Sequence, residues 1–146
     1  MSTNVWTFDP GQTTGWSLWS KGTLRKWGVF QPEEVHKFLT KVLQPASTED
    51  NVKTIFLYER LVVRQLSFNP IGMEVIGALK YIACVNKYNV LHQEPAQISG
   101  VMKWPIYDFK KKGLSEHEKD AIAHGIIYYR KLGMDIYLPP QFIIKE

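Results

Sequence analysis

Four residues of this sequence have the types and surroundings to hold a divalent cation: Asp9, Glu59, His117 and Asp120. Asp9 follows the apolar stretch Val5–Phe8 and opens the string Asp9-Pro10-Gly11-Gln12-Thr13-Thr14-Gly15-Trp16. Gly11 and Gly15 permit positive φ and a close backbone approach. On its own residues the string has three readings: an Asx-type turn capping a hairpin, a phosphate-binding Asp-Gly-Thr hairpin, or a metal ligand. Glu59 ends the apolar run Ile55–Tyr58. A carboxylate at the end of a buried strand is costly unless it pairs or binds a cation, and Arg60 and Arg64 are near enough in sequence to be the pair. His117 and Asp120 are spaced i, i+3, so both project from one helix face, and His124 continues nearly the same stripe. Glu116 and Glu118 fall elsewhere and suit the helix N-terminus, where negative charge is favoured.

These residues come from distant parts of the chain, so the elements must bring them together. Val5–Phe8, Gly15–Trp19 and Thr23–Phe30 read as a β-meander with turns at Asp9–Thr14 and Ser20–Gly22. Glu33–Leu43 reads as a short helix opened by Pro32, with Val35, Phe38, Leu39 and Val42 on one face. Thr54–Tyr58 has the continuous apolar character of a central strand. Asn69 and Pro70 are an N-cap and a first helical residue, starting a helix that runs to Asn86 with Glu74 and Lys80 as its only charges. A helix so apolar needs cover on more than one side, from other helices of the chain or from a second copy. Asn89–Gln93 reads as a strand, Pro95–Val101 as a short helix and Trp104–Gly113 as a loop. Ser115 and Glu118 form the S-x-x-E box of a final helix that continues to Leu132 and stops at Gly133. The tail through Ile136–Leu138 and Pro139-Pro140 is expected to wrap the surface. The pattern as a whole predicts a mixed α/β sheet flanked by helices.

At 146 residues, 45% hydrophobic and 13% aromatic, the chain reads as one folded domain spanning 1–146. One cysteine, Cys84, can make no internal disulfide, which suits a reducing cytoplasm. No basic segment leads into a long apolar one, and no apolar stretch approaches the ~20 residues of a membrane span. The net charge of +4 permits nucleic-acid binding without requiring it.

Taken in order, the hairpin with Asp9, the strand-terminal Glu59, the apolar helix after it and the H-x-x-D pair of the last helix resemble a RuvC-type Holliday junction resolvase of the RNase H-like superfamily. Glu94-Pro95-Ala96-Gln97-Ile98-Ser99-Gly100 adds to the likeness, which covers roughly residues 3–132 and looks most like phage or mobile-element members. The resemblance implies a five-stranded mixed sheet, an antiparallel three-stranded meander continued by parallel strands. It implies a catalytic and metal-binding tetrad of Asp9, Glu59, His117 and Asp120, with two Mg²⁺ ions for which Mn²⁺ substitutes. Asp9 would bridge the ions, Glu59 would bind one, and His117 with Asp120 the other. Imidazole at His117 suits Mn²⁺ somewhat better than Mg²⁺, and its protonation would weaken binding. Electrostatics agrees: two unit charges about 4 Å apart interact by roughly 4 kcal/mol at an effective dielectric near 20, so three converging carboxylates call for a cation.

The expected substrate is branched DNA, especially four-way junctions, cut by metal-dependent phosphodiester hydrolysis. Arg60, Arg64, Lys103, Lys110, Lys111 and Lys112 are the candidate phosphate contacts; a solvated lysine loop is the alternative for Lys110–Lys112. Some relatives carry an aromatic wedge shortly after the glutamate, where this chain has Val62, with Leu66 and Phe68 nearby. The resemblance also implies a homodimer through the helix Pro70–Asn86, with Gly72 and Gly77 admitting a partner helix, and a bacterial or phage-infected cytoplasm. Three alternatives remain at this level: a broader flap or RNA–DNA hybrid nuclease, a non-catalytic DNA-binding relative, and an ATP-binding protein of the actin-like kind. The last needs two such lobes, and this chain has room for one.

Overall fold

The computed structural model describes residues 2–43, 52–60, 70–95 and 113–142. The meander forms as β1 (Ser2–Asp9), β2 (Thr14–Ser20) and β3 (Thr23–Phe30). A 3₁₀ turn at Pro32–Glu34 leads into α1 (Val35–Leu43). Then come β4 (Val52–Glu59), α2 (Pro70–Asn86), β5 (Asn89–Gln93) and α3 (Glu116–Lys131), with a last 3₁₀ turn at Pro140–Phe142. The strands lie in the order β3-β2-β1-β4-β5. β1 pairs antiparallel with β2 and parallel with β4, and β5 is parallel to β4. The five-stranded mixed sheet expected from the sequence is the sheet observed. The predicted helix at Pro95–Val101 and the loop at Trp104–Gly113 fall almost entirely outside the described residues.

Alternation along the strands sorts the core into two layers. Val5 on β1 with Ile55 and Leu57 on β4 face Ile122, Ala123 and Ile126 of α3. Trp6 and Phe8 with Phe56 and Tyr58 face the other way, against Val35 and against Val75, Ile76 and Leu79 of α2. The same alternation carries Asp9 and Glu59 onto the α3 side, beyond Val5 and Leu57. In the parallel register Phe8 lies opposite Tyr58, so the two carboxylates leave the sheet at the same level.

Buried hydroxyls fix α3 on that layer. Thr7 Oγ1 donates to the Ala121 carbonyl at 2.6 Å, Ser17 Oγ is hydrogen-bonded to Thr7, and Trp19 Nε1 donates to Ser17 Oγ at 2.8 Å. Close contact also needs small residues. A Cβ at Gly15 would fall 1.9 Å from the His117 carbonyl oxygen, and one at Gly125 2.1 Å from Trp19 Nε1. The glycines of the Asp9 string therefore do not serve positive φ, which among the described glycines occurs at Gly22, Gly113 and Gly133. Gly15 serves instead to let the N-terminus of α3 lie against β2.

Two further expectations change. The tail does not simply wrap the surface: Tyr137 bridges Thr23 beside the β2–β3 turn, and Leu138 and Phe142 are buried in the same core layer as α3, Phe142 against Trp27. Burying such side chains contributes about 1.5–3 kcal/mol each. On α2, Gly72 is buried within the chain and so is not open to a partner helix, whereas Gly77 has open space where a Cβ would stand. The outer face of α2, with Met73, Tyr81 and Val85, is exposed rather than covered by other described helices. Among the described residues no helix is long and apolar enough to cross a membrane.

Candidate active site

Asp9 at the C-terminal end of β1, Glu59 at the end of β4, and His117 with Asp120 in the first two turns of α3 meet at one end of the sheet. Ser115 starts α3 as the sequence predicts. Its Oγ accepts from Glu118 N at 3.2 Å, and Glu118 Oε1 accepts from Ser115 N at 3.2 Å. Glu118 is therefore consumed by the cap, and Glu116 pairs with Lys119 at 2.5 Å. His117 and Asp120 are left facing the strands.

His117 Nδ1 lies 3.2 Å from Asp9 Oδ2. The Asp9 and Glu59 side chains are only 10% and 14% exposed, whereas His117 is 45% exposed, so the site opens on the His117 side. Burial, a hydrogen bond to Glu59, and the charges of Glu59 and Asp120 push the Asp9 carboxyl up to about 9. Burial first, then Glu59, raises Asp120 to about 6. Burial also acts to raise Glu59, but the nearby His124 imidazole and a hydrogen bond to Asp9 outweigh it and leave Glu59 below its ordinary value. The crowding thus acts unequally on the carboxyls, raising Asp9 and Asp120 and lowering Glu59.

Carboxylate oxygens with one imidazole suit Mg²⁺ or Mn²⁺ by donor type. Among the described residues no three His, Cys, Asp or Glu side chains are yet gathered to share one cation. The donors contact one another instead, Asp9 with His117 and with Glu59.

Arg60 does not neutralise Glu59. Its guanidinium pairs with Glu94 at 3.2 Å on the exposed rim, while its backbone N–H donates to the Gln93 carbonyl at 2.9 Å. Arg64, Lys103, Lys110, Lys111 and Lys112 lie outside the described residues, as do Val62, Leu66 and Phe68. The partner that Glu59 does have went unassigned in the sequence. His124, fully buried, places Nε2 3.4 Å from Glu59 Oε1 and Nδ1 2.6 Å from Gln93 Oε1. Its i, i+7 spacing from His117 was the available signal.

No protein-family profile and no curated protein sequence matches the chain. Solved structures do. Thermus thermophilus RuvC in complex with a Holliday junction substrate superposes with a TM-score of 0.65 at 16% identity, over 90% of this chain and 96% of that one. A second T. thermophilus RuvC structure gives 0.62 at 17% identity, over 90% and 97%. At that identity the likeness is one of architecture, and it spans nearly all of both chains. A meander continued by two parallel strands, with α3 laid across the end that carries Asp9 and Glu59, is thus the fold of a RuvC-type resolvase.

Proposed function

We propose that this protein is a divalent-metal-dependent, structure-selective endonuclease that cuts four-way DNA junctions in the cytoplasm of a bacterium or a phage-infected host. One observation carries the reading: on a RuvC-type fold, Asp9, Glu59, His117 and Asp120 converge at a half-open end of the sheet, with Asp9 crowded by burial and negative charge. In this reading Asp9, Glu59, His117 and Asp120 would be the ligands that hold two Mg²⁺ or Mn²⁺ ions. Such ions supply an activated water and stabilise the departing 3′-oxygen.

The chain's own residues do the rest. The Thr7–Ala121 and Ser17 contacts hold α3 at a fixed height above β1, so Asp120 and Asp9 keep their separation while a phosphate enters from the His117 side. Arg60 on the rim, with Arg64, Lys103 and Lys110–Lys112, is assigned to the flanking phosphates, which position DNA without reading its sequence. A second copy is assigned to the exposed face of α2, so that two sites cut paired strands.

The test is incubation of the purified protein with labelled four-way, flap, RNA–DNA hybrid and linear substrates in Mg²⁺, Mn²⁺ or EDTA. Paired nicks in the four-way junction with either metal, and none in EDTA, are expected. Equal cutting of linear duplex, or cutting that persists in EDTA, is incompatible with the proposal.

A further inference from the structure

His124 sits one turn beyond Asp120 on α3 and is fully buried. Glu59 and Gln93 are register partners at the ends of β4 and β5, and both point to the α3 side. The imidazole spans them: Nδ1 is 2.6 Å from Gln93 Oε1, and Nε2 is 3.4 Å from Glu59 Oε1. Nε2 is sealed from solvent and makes no well-aligned hydrogen bond, although it faces the carboxylate. A buried polar atom so poorly bonded costs stability, and Leu or Met would fill the same space without that cost. The ring is therefore better explained by what it does to Glu59 than by packing.

Gln93 fixes the ring plane through Nδ1, and α3 fixes its depth. Glu59 has the opposite problem. It terminates a strand, its side chain has several rotamers, and Arg60, the nearest cation in sequence, is turned away to Glu94. We infer that His124 is a positioning residue which, held by Gln93, orients the Glu59 carboxylate for a divalent cation. This rests on the metal-dependent reading above and deepens it by naming what makes one ligand competent. Groups that orient a metal ligand from behind typically account for 10–100-fold in metal affinity.

The experiment measures Mn²⁺ binding by electron paramagnetic resonance, beside metal-free thermal melting, for the full chain and four variants. These are His124→Leu, Gln93→Leu, the double variant, and His124→Gln, which puts an amide group near Glu59. Each Leu variant is expected to bind Mn²⁺ about ten- to a hundredfold more weakly. The double variant should be no worse than the weaker single, because both remove one interaction. His124→Gln should recover part of the loss. A purely structural histidine would lower the melting temperature and leave the folded protein's Mn²⁺ affinity unchanged; that result, in either single variant, overturns the inference. Should His124→Leu fail to fold, Gln93→Leu decides alone. Absence of Mn²⁺ binding by the unaltered chain overturns the proposed function as well, which separates the two failures.

Discussion

At the scale of single residues, the crowded Asp9 carboxyl is the most revealing group. A carboxyl held up to about 9 is not a ready ligand until something stronger than a proton competes for it. Asp9→Asn and Asp120→Asn are expected to abolish strand cleavage while leaving junction binding in a gel-shift assay, since neither adds charge or bulk. Full Mg²⁺-dependent cleavage by Asp9→Asn would remove it from the centre. The shifts also set a pH dependence for the metal-free protein. Asp9, at about 9, and Asp120, at about 6, bind protons more tightly folded than unfolded. Their contribution is complete below about pH 4, where the unfolded groups are also protonated, and is lost as pH rises through 6 and then 9. Glu59, shifted down, acts in the opposite sense, but only below its ordinary value of 4.5. In EDTA the melting temperature should therefore fall between pH 5 and 9. Added Mg²⁺ should raise it most at the alkaline end, where the cation displaces fewest protons. A melting temperature that is flat in EDTA across that range would contradict the assignment.

At the scale of elements, the site depends on how closely α3 lies on β2. Gly15→Ala would drive a methyl group into the His117 backbone at 1.9 Å. Neither backbone can yield cheaply, so a loss of about 3 kcal/mol or more is expected in urea denaturation. Unaltered stability would mean that α3 stands farther from the sheet. The elements themselves were largely legible. Pro70 behind Asn69, and Ser115 with Glu118, announce their helices through local chemistry, and the bounds of α2 and β5 match the sequence reading. β1 runs past its apolar residues to Ser2 because ladder hydrogen bonds extend through polar positions that hydrophobicity does not mark. Phe142 could not be placed from sequence, because its burial depends on Trp27, far away in the chain, with ring centroids 5.0 Å apart. His124 lay on a recognisable stripe, yet only the register of β4 and β5 shows that Glu59 and Gln93 end beneath it. Gly15 was noticed for the right property, close approach, but its neighbour proved to be the chain's own helix.

At the scale of the whole molecule, the exposed side of α2 is the open question that a second copy would answer. Gly77 makes the two possibilities diverge. In a monomer, Gly77→Ala fills empty space within a helix and should stabilise the fold by about 0.5–1 kcal/mol. In a dimer packed on that face, the same methyl should hold the helices apart and weaken association. Sedimentation of Gly77→Ala and of Val85→Glu beside the unaltered chain checks this, and a monomeric unaltered protein bound to junction DNA would exclude paired cutting through α2. The packing of α3 has a consequence for synthesis too. Protein chains emerge N-terminus first, so Asp9 and Glu59 leave the ribosome well before His117, Asp120 and His124. Until that last helix docks, the proposed cutting centre has half its ligands, and Val5, Trp19 and Leu57 lie uncovered. On the proposed function, a nascent or truncated chain that stops short of Ser115 would be disarmed but adhesive: its hazard to the cell would be clumping, not stray cuts in DNA.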